Sequence, residues 1–279
     1  MNRFSRSWEL IKASARVLGA DKELLVFPIV SAIASLIVSI TFAVPLFLSG
    51  GINSISQDQF PAIYYLVLFL FYIVQYFVIF FANTALVGAA TIRLKGGDPT
   101  VGDGFRIAFS HFGPILGYSV IAATVGMILR LVSDRSRGLG RLIISLIGFA
   151  WNVATFLVVP ILAVEGIGPI DAIKRSTALL KKTWGEQIIG NFGVGFIFGL
   201  ITFGLILISL PIFYLLISAE IIWGAVALGI VLILLLVLIG LVQSALNGIY
   251  TAAIYQYAAN SSTGFFEEGM IKDAFVVRN

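Results

Sequence analysis

Long apolar runs alternate with short polar stretches along most of this chain, and the runs have the length of a bilayer crossing. About 20 consecutive apolar residues suffice to span the hydrocarbon core. Six such runs lie at roughly 24–49, 62–90, 113–131, 142–164, 187–217 and 221–258. The connections between them are of two kinds. Residues 50–61, 132–141 and 218–220 are short, whereas 91–112 and 165–186 are longer and carry helical periodicity.

Those longer pieces resemble the N-terminus. Phe4, Trp8, Ile11, Ala15 and Leu18 recur at helical spacing, with Arg6, Lys12 and Arg16 over the remaining surface. Phe105, Ala108, Phe109 and Phe112 repeat the pattern around Arg106 and Ser110. Ile170, Ile173, Thr177, Leu180 and Trp184 repeat it opposite Lys174, Arg175, Lys181 and Lys182. An apolar stripe with a basic polar side is the pattern of a helix lying in the membrane interface. Gly168-Pro169 suits the start of the third helix, and Asp171 suits the positive end of its dipole. His111-Phe112-Gly113 and Thr183-Trp184-Gly185 each lead straight into a span. The expectation is an all-α integral membrane fold built as one transmembrane domain, residues 1–279. It comprises six transmembrane helices as three repeats of an interfacial amphipathic helix plus a two-span hairpin. The repeats cover about 3–90, 98–164 and 168–258, followed by a tail at 259–279. A seven-span alternative stays open, because 187–258 is almost unbroken in its apolarity, and Pro211 and Glu220 could bound a further element.

Composition agrees with a lipid environment. The chain is 59% hydrophobic and 11% charged, with a mean hydropathy of +1.03; soluble domains keep about a quarter of their residues charged. The first apolar run is too long for a signal-peptide core and reads as a retained span. The net charge of +4 comes from basic residues in short loops, which points to anionic lipid and away from nucleic acid. With six spans and the N-terminus inside, fourteen of the eighteen basic residues fall on the cytoplasmic side, and both termini are cytoplasmic. The exception is RLVSDRSRGLGR, residues 130–141, whose four arginines fall outside. Arg130 and Arg141 close the ends of spans 3 and 4 by snorkelling. Arg135 and Arg137 are candidates for an anionic ligand or a pore mouth, since arginine recognises phosphate and carboxylate in bidentate fashion. On the cytoplasmic side Lys174, Arg175, Lys181 and Lys182 are candidate headgroup contacts.

Little catalytic chemistry is present. There is no cysteine and one histidine, His111, which reads as a surface residue. No zinc motif, nucleophile elbow or phosphate loop occurs, and Gly96-Gly97-Asp98-Pro99 reads as a turn. No carboxylate falls in mid-span, because Glu165, Glu186 and Glu220 all lie at span ends, which argues against a coupled transporter. The spans carry amides instead. Gln75, Asn83, Asn152, Asn191, Gln243 and Asn247 form a candidate polar lining, or else interhelical glue. Gly195 and Gly199 allow close helix approach. On span 2 the terminal tyrosines suit an interfacial belt, and the phenylalanines, Phe77, Phe80 and Phe81 among them, are expected to face lipid.

Three stretches resemble a known family: SRSWELIKASARVLGADKELLVFP, VEGIGPIDAIKRSTALLKKTWGEQIIG and IYTAAIYQYAANSSTGFF. They look like an uncharacterised family of bacterial polytopic membrane proteins of unknown function. More distantly they are similar to the membrane region of some glycerophosphodiester phosphodiesterases. The resemblance implies a six-span protein of the bacterial cytoplasmic (inner) membrane and hands over no catalytic residue. The functional expectation is a non-enzymatic protein without catalytic, cofactor or metal site: an uncoupled pore, or a protein that binds or moves a lipid-like molecule. The alternative is a structural or regulatory scaffold subunit. The expected partners are membrane lipids and further copies of the chain.

Overall fold

The structure is a computed structural model and describes residues 3–48, 62–183 and 194–259. The described residues are helical, without strands. In chain order come α1 (Arg3–Ala20), a 3-10 turn (Lys22–Leu25), α2 (Val26–Leu48), α3 (Ala62–Leu94), α4 (Val101–Ser110), α5 (Phe112–Arg135), α6 (Leu139–Ala154), α7 (Val158–Val164), α8 (Pro169–Thr183), α9 (Val194–Ser218) and α10 (Ile222–Ala258). Six stretches are long and apolar enough to cross a membrane, so the chain is a multi-pass membrane protein. They are the six expected: α2, α3, α5, α6 with α7, α9 and α10.

The seven-span alternative is overturned between α9 and α10. Pro211 lies inside α9, and Glu220 sits in the tight turn that follows it. There the N–H of Glu220 donates to the carbonyl of Ile217 and the N–H of Ile221 to that of Leu216, at 3.0 and 2.9 Å. These bonds wrap up the helix end in the manner of a Schellman turn. They hold Glu220 at φ 60°, a left-handed position with a side chain on it.

Span 4 differs from expectation: it is two helices, broken at residues 155–157. Hydropathy gives no sign of this, because the apolar letters run on. Pro160 stands in the first turn of α7, where its missing N–H is no loss. The freed N–H of Leu157 donates to Ser176 Oγ on α8 at 3.2 Å, within the core.

The three short helices pack onto the bundle with faces that differ in part from the expected stripes. On α1 the buried residues are Ala13, Ser14, Val17 and Leu18, while Ala15 is exposed. Phe4, Trp8 and Ile11 lie outside the described side chains. On α8 the buried residues are Ala172, Ser176, Leu179 and Leu180; Ile170 is exposed, and Trp184 lies outside the described residues. Phe112 opens α5 and is not part of α4. α4 starts with a capping box, in which Thr100 and Asp103 each bond the other's backbone N–H.

One core holds the molecule together, and it sits at one end. It takes the C-terminal ends of α3 and α10, most of α7, the starts of α2 and α5, and the inner faces of α1, α4 and α8. Small residues allow this density. A Cβ on Gly104 of α4 would strike the Phe27 ring and come within 2.8 Å of the Ala85 carbonyl oxygen. A Cβ on Gly248 of α10 would strike Leu86 of α3. We call this end the hub. At the other, open end, most large apolar residues of α2, α9 and α10 are exposed.

Candidate functional site

The amides are not drawn together. Gln75, Asn83 and Gln243 are half-buried, and Asn152 and Asn247 are exposed. Asn191 lies outside the described residues. Gln243 Nε2 lies 3.7 Å from where a Cβ on Gly195 would stand, so it reaches toward α9. Gln75 Oε1 is enclosed without a hydrogen-bond partner. Among the described residues no hydrogen bond joins any two of these amides.

Polar contacts concentrate at the hub, on residues the sequence reading did not single out together. Asp21, nearly buried, accepts from Arg93 Nη2 at 3.3 Å, and Arg93 also pairs with exposed Asp98. This ties the 3-10 turn before span 1 to the end of span 2. Glu165 Oε1 accepts from Arg175 Nε at 3.1 Å and from the Tyr255 hydroxyl at 2.9 Å, joining α7, α8 and α10. Gln256 Nε2 donates to the Thr91 carbonyl at 3.3 Å. Lys174 pairs with Asp171 at 3.4 Å and Arg106 with Asp103 at 3.1 Å. Hydrogen bonds from the Thr100 hydroxyl and then its backbone N–H, with the Arg106 charge beside it, hold the Asp103 carboxyl below its usual pKa. Of the expected headgroup contacts, Lys174 and Arg175 are thus already engaged by carboxylates. Lys181 is exposed and, like Arg16, Lys22 and Lys95, has no ion pair among the described residues. The Lys182 side chain lies outside them.

At the open end, Arg135 is the last residue of α5 and Arg137 stands in the short connection to α6. Both are exposed, with no ion pair among the described residues. Arg130 is held instead. Its Nη1 donates to the Tyr72 hydroxyl on α3, and its Nε lies 4.0 Å from Asp134. Tyr72 begins an aromatic stair along the α3–α5 seam: Tyr72 to Tyr76 at 6.3 Å, Tyr76 to Phe80 at 5.6 Å, Phe80 to Tyr118 at 4.6 Å. The legible signal was the four-residue spacing of Tyr72, Tyr76 and Phe80 against that of Gly126 and Arg130. The expectation that the span 2 phenylalanines face lipid fails for three of them. Phe80 packs at a tilt on Tyr118 and Phe77 on Phe112, while Phe81 stacks on Phe105 and meets Phe109 edge to face. His111 is half-buried at the joint between α4 and α5, its Nδ1 3.4 Å from Ser110 Oγ. Among the described residues no three His, Asp or Glu side chains gather as a metal site would require.

Residues 62–265 match the Family of unknown function (DUF6159). The chain belongs to this family. The DUF6159 stretch takes in spans 2 to 6 with α4 and α8, so it includes both the hub ends of α3 and α10 and the aromatic stair. No curated protein and no solved structure matches the chain. Membership accords with the resemblance to a family of unknown function. The more distant likeness to the membrane region of glycerophosphodiester phosphodiesterases finds no support in these comparisons.

Proposed function

We propose that the protein is a non-enzymatic component of the bacterial inner membrane that holds lipid-like molecules among its spans. The observation that carries this reading is the contrast between a filled hub and an open end. A pore through one chain needs a polar path from end to end. The hub fills that route with Leu86, Leu94, Ile161 and Ile249, all fully buried, and the amides do not line it. The open end exposes apolar side chains of α2, α9 and α10, an environment suited to acyl chains. Both termini and the three short helices lie on the cytoplasmic side in this reading, following the distribution of the basic residues.

The reading includes three repeats. Gly96 and Gly166 both take a positive φ, at 86° and 62°, and each is followed three residues later by a proline that leads into a short helix. Native mass spectrometry of protein extracted from its membrane tests the lipid reading. Lipid retained through delipidating detergent is the expected result; a lipid-free protein that conducts ions in vesicles would replace it with a pore. The scaffold alternative draws on Arg16, Lys22, Lys95 and Lys181 at the hub face, which are exposed and without an ion pair among the described residues. It would gain if the lipid-free protein were a stable homo-oligomer that conducts nothing.

A further inference from the structure

The geometry points to a seat for one anionic phospholipid in the seam between α3 and α5, with Arg130 taking the headgroup phosphate. This deepens the lipid-holding reading and rests on it. Arg130 lies five residues before the end of α5, roughly 7 Å below the helix tip. A span-end guanidinium at that depth reaches the headgroup level, where lipid phosphates lie. It carries five N–H donors in a planar fork. One reaches the Tyr72 hydroxyl, and the 4.0 Å to Asp134 is too long for a hydrogen bond. The side chain is 63% exposed, so the rest of the fork is open to a ligand. A phosphate fits such a fork in bidentate fashion.

The seam supplies the rest of the seat. Burial along it increases toward the hub: Gly126 is half-buried, Ala122 is 6% exposed and Tyr118 4%. A Cβ on Gly126 would lie 3.3 Å from the Tyr76 hydroxyl, which has no hydrogen bond among the described residues. The glycine therefore leaves this hydroxyl within reach of a ligand's glycerol oxygens, above the aromatic floor of Tyr76 and Phe80. Charge selects the occupant. By sequence the open-end connections set Arg130, Arg135, Arg137 and Arg141 against Asp58, Asp134 and Glu220. This surplus favours a net-anionic lipid over a zwitterionic one, whose own cation it repels. A free anion in solution would gain nothing from the apolar seam.

The test offers purified protein an equimolar mixture of phosphatidylglycerol and phosphatidylcholine with matched chains, and reads the retained ratio by native mass spectrometry. Wild type should favour phosphatidylglycerol by about tenfold, the scale of one unfavourable near-surface charge pair between the choline cation and the arginines. Arg130→Gln should bring the ratio close to one, Arg130→Lys should keep part of the preference, and Arg137→Gln, which removes one charge of the surplus and leaves the fork in place, should lower it only slightly. A wild-type ratio in Arg130→Gln, or an equal loss in Arg137→Gln, overturns the seat while leaving lipid holding intact. A wild type that retains neither lipid overturns both. If Arg130→Gln does not fold, Tyr72→Phe, which releases the anchored end of the guanidinium, should lower the preference several-fold. An unchanged ratio there also removes the seat.

Discussion

Leu86 and Leu238 are the same residue type in two neighbouring spans, yet the first is fully enclosed and the second is 57% exposed. Their surroundings differ in size, not in polarity. Near Leu86 the sequence reads Ala85, Val87, Gly88, Ala89 and Ala90, and it faces Ala245 and Gly248 on α10. Around Leu238 it reads Leu234, Leu235, Leu236, Val237 and Ile239. In lipid, apolarity gives one helix no preference for another, because acyl chains are equally apolar. Close packing decides, and small residues permit it. The hub is therefore where the bundle is specified, and the open end is where it is available.

That contrast can be broken most severely at Gly104. Gly104→Val places a branched side chain against the Phe27 ring and the Ala85 carbonyl, and should lower stability by about 3 kcal/mol in mixed-micelle unfolding. Gly204→Val on α9 has nothing within 4 Å of its new Cβ and should stay within about 0.5 kcal/mol of wild type. Equal losses would dissolve the distinction between the two ends. Ser176→Ala strands the buried Leu157 N–H and should cost about 2 kcal/mol, with faster hydrogen exchange confined to residues 155–160. Glu220→Gly works in the opposite direction at the open end. Relieving the left-handed side chain should raise stability by about 1 kcal/mol, seen as a later unfolding midpoint.

The smallest effect sharpens the contrast through pH. The pKa of Asp103 is depressed in the folded state, so its support for the start of α4 is present above the unfolded pKa. That support fades as pH falls through the folded value. Exchange protection at residues 101–104 should decline in acid, and Thr100→Ala should flatten the decline. The start of α10, with no acidic residue in its first turn, should show none of it.

Hydropathy sufficed to find the six spans, since every backbone group in a bilayer must be satisfied within a helix and long apolar runs follow. It could not locate the break in span 4, whose decisive partner, Ser176, is a neutral residue on another helix. The buried faces of α1 and α8 were partly misread for a related reason. The large apolar residues mark a stripe that enters the membrane interface, whereas Ala13, Ser14, Ala172 and Ser176 are what let those helices approach the bundle. The basic residues were legible as a set, but not which of them carboxylates already hold: Asp171 is three residues from Lys174, whereas Glu165 reaches Arg175 only because the intervening turn folds back. Arg130 was visible as a span-end arginine. Its hold on Tyr72, 58 positions away, belongs to tertiary structure.

The bond from Leu157 to Ser176 also sets an order in time. Its acceptor lies nineteen residues downstream of its donor, so span 4 emerges from the ribosome with one backbone N–H unanswered. The broken span stays provisional until α8 has been made and has docked. The small-residue end of α10 is made later still, so the hub cannot be complete before the last described element has been synthesised, although it is the part on which the others depend.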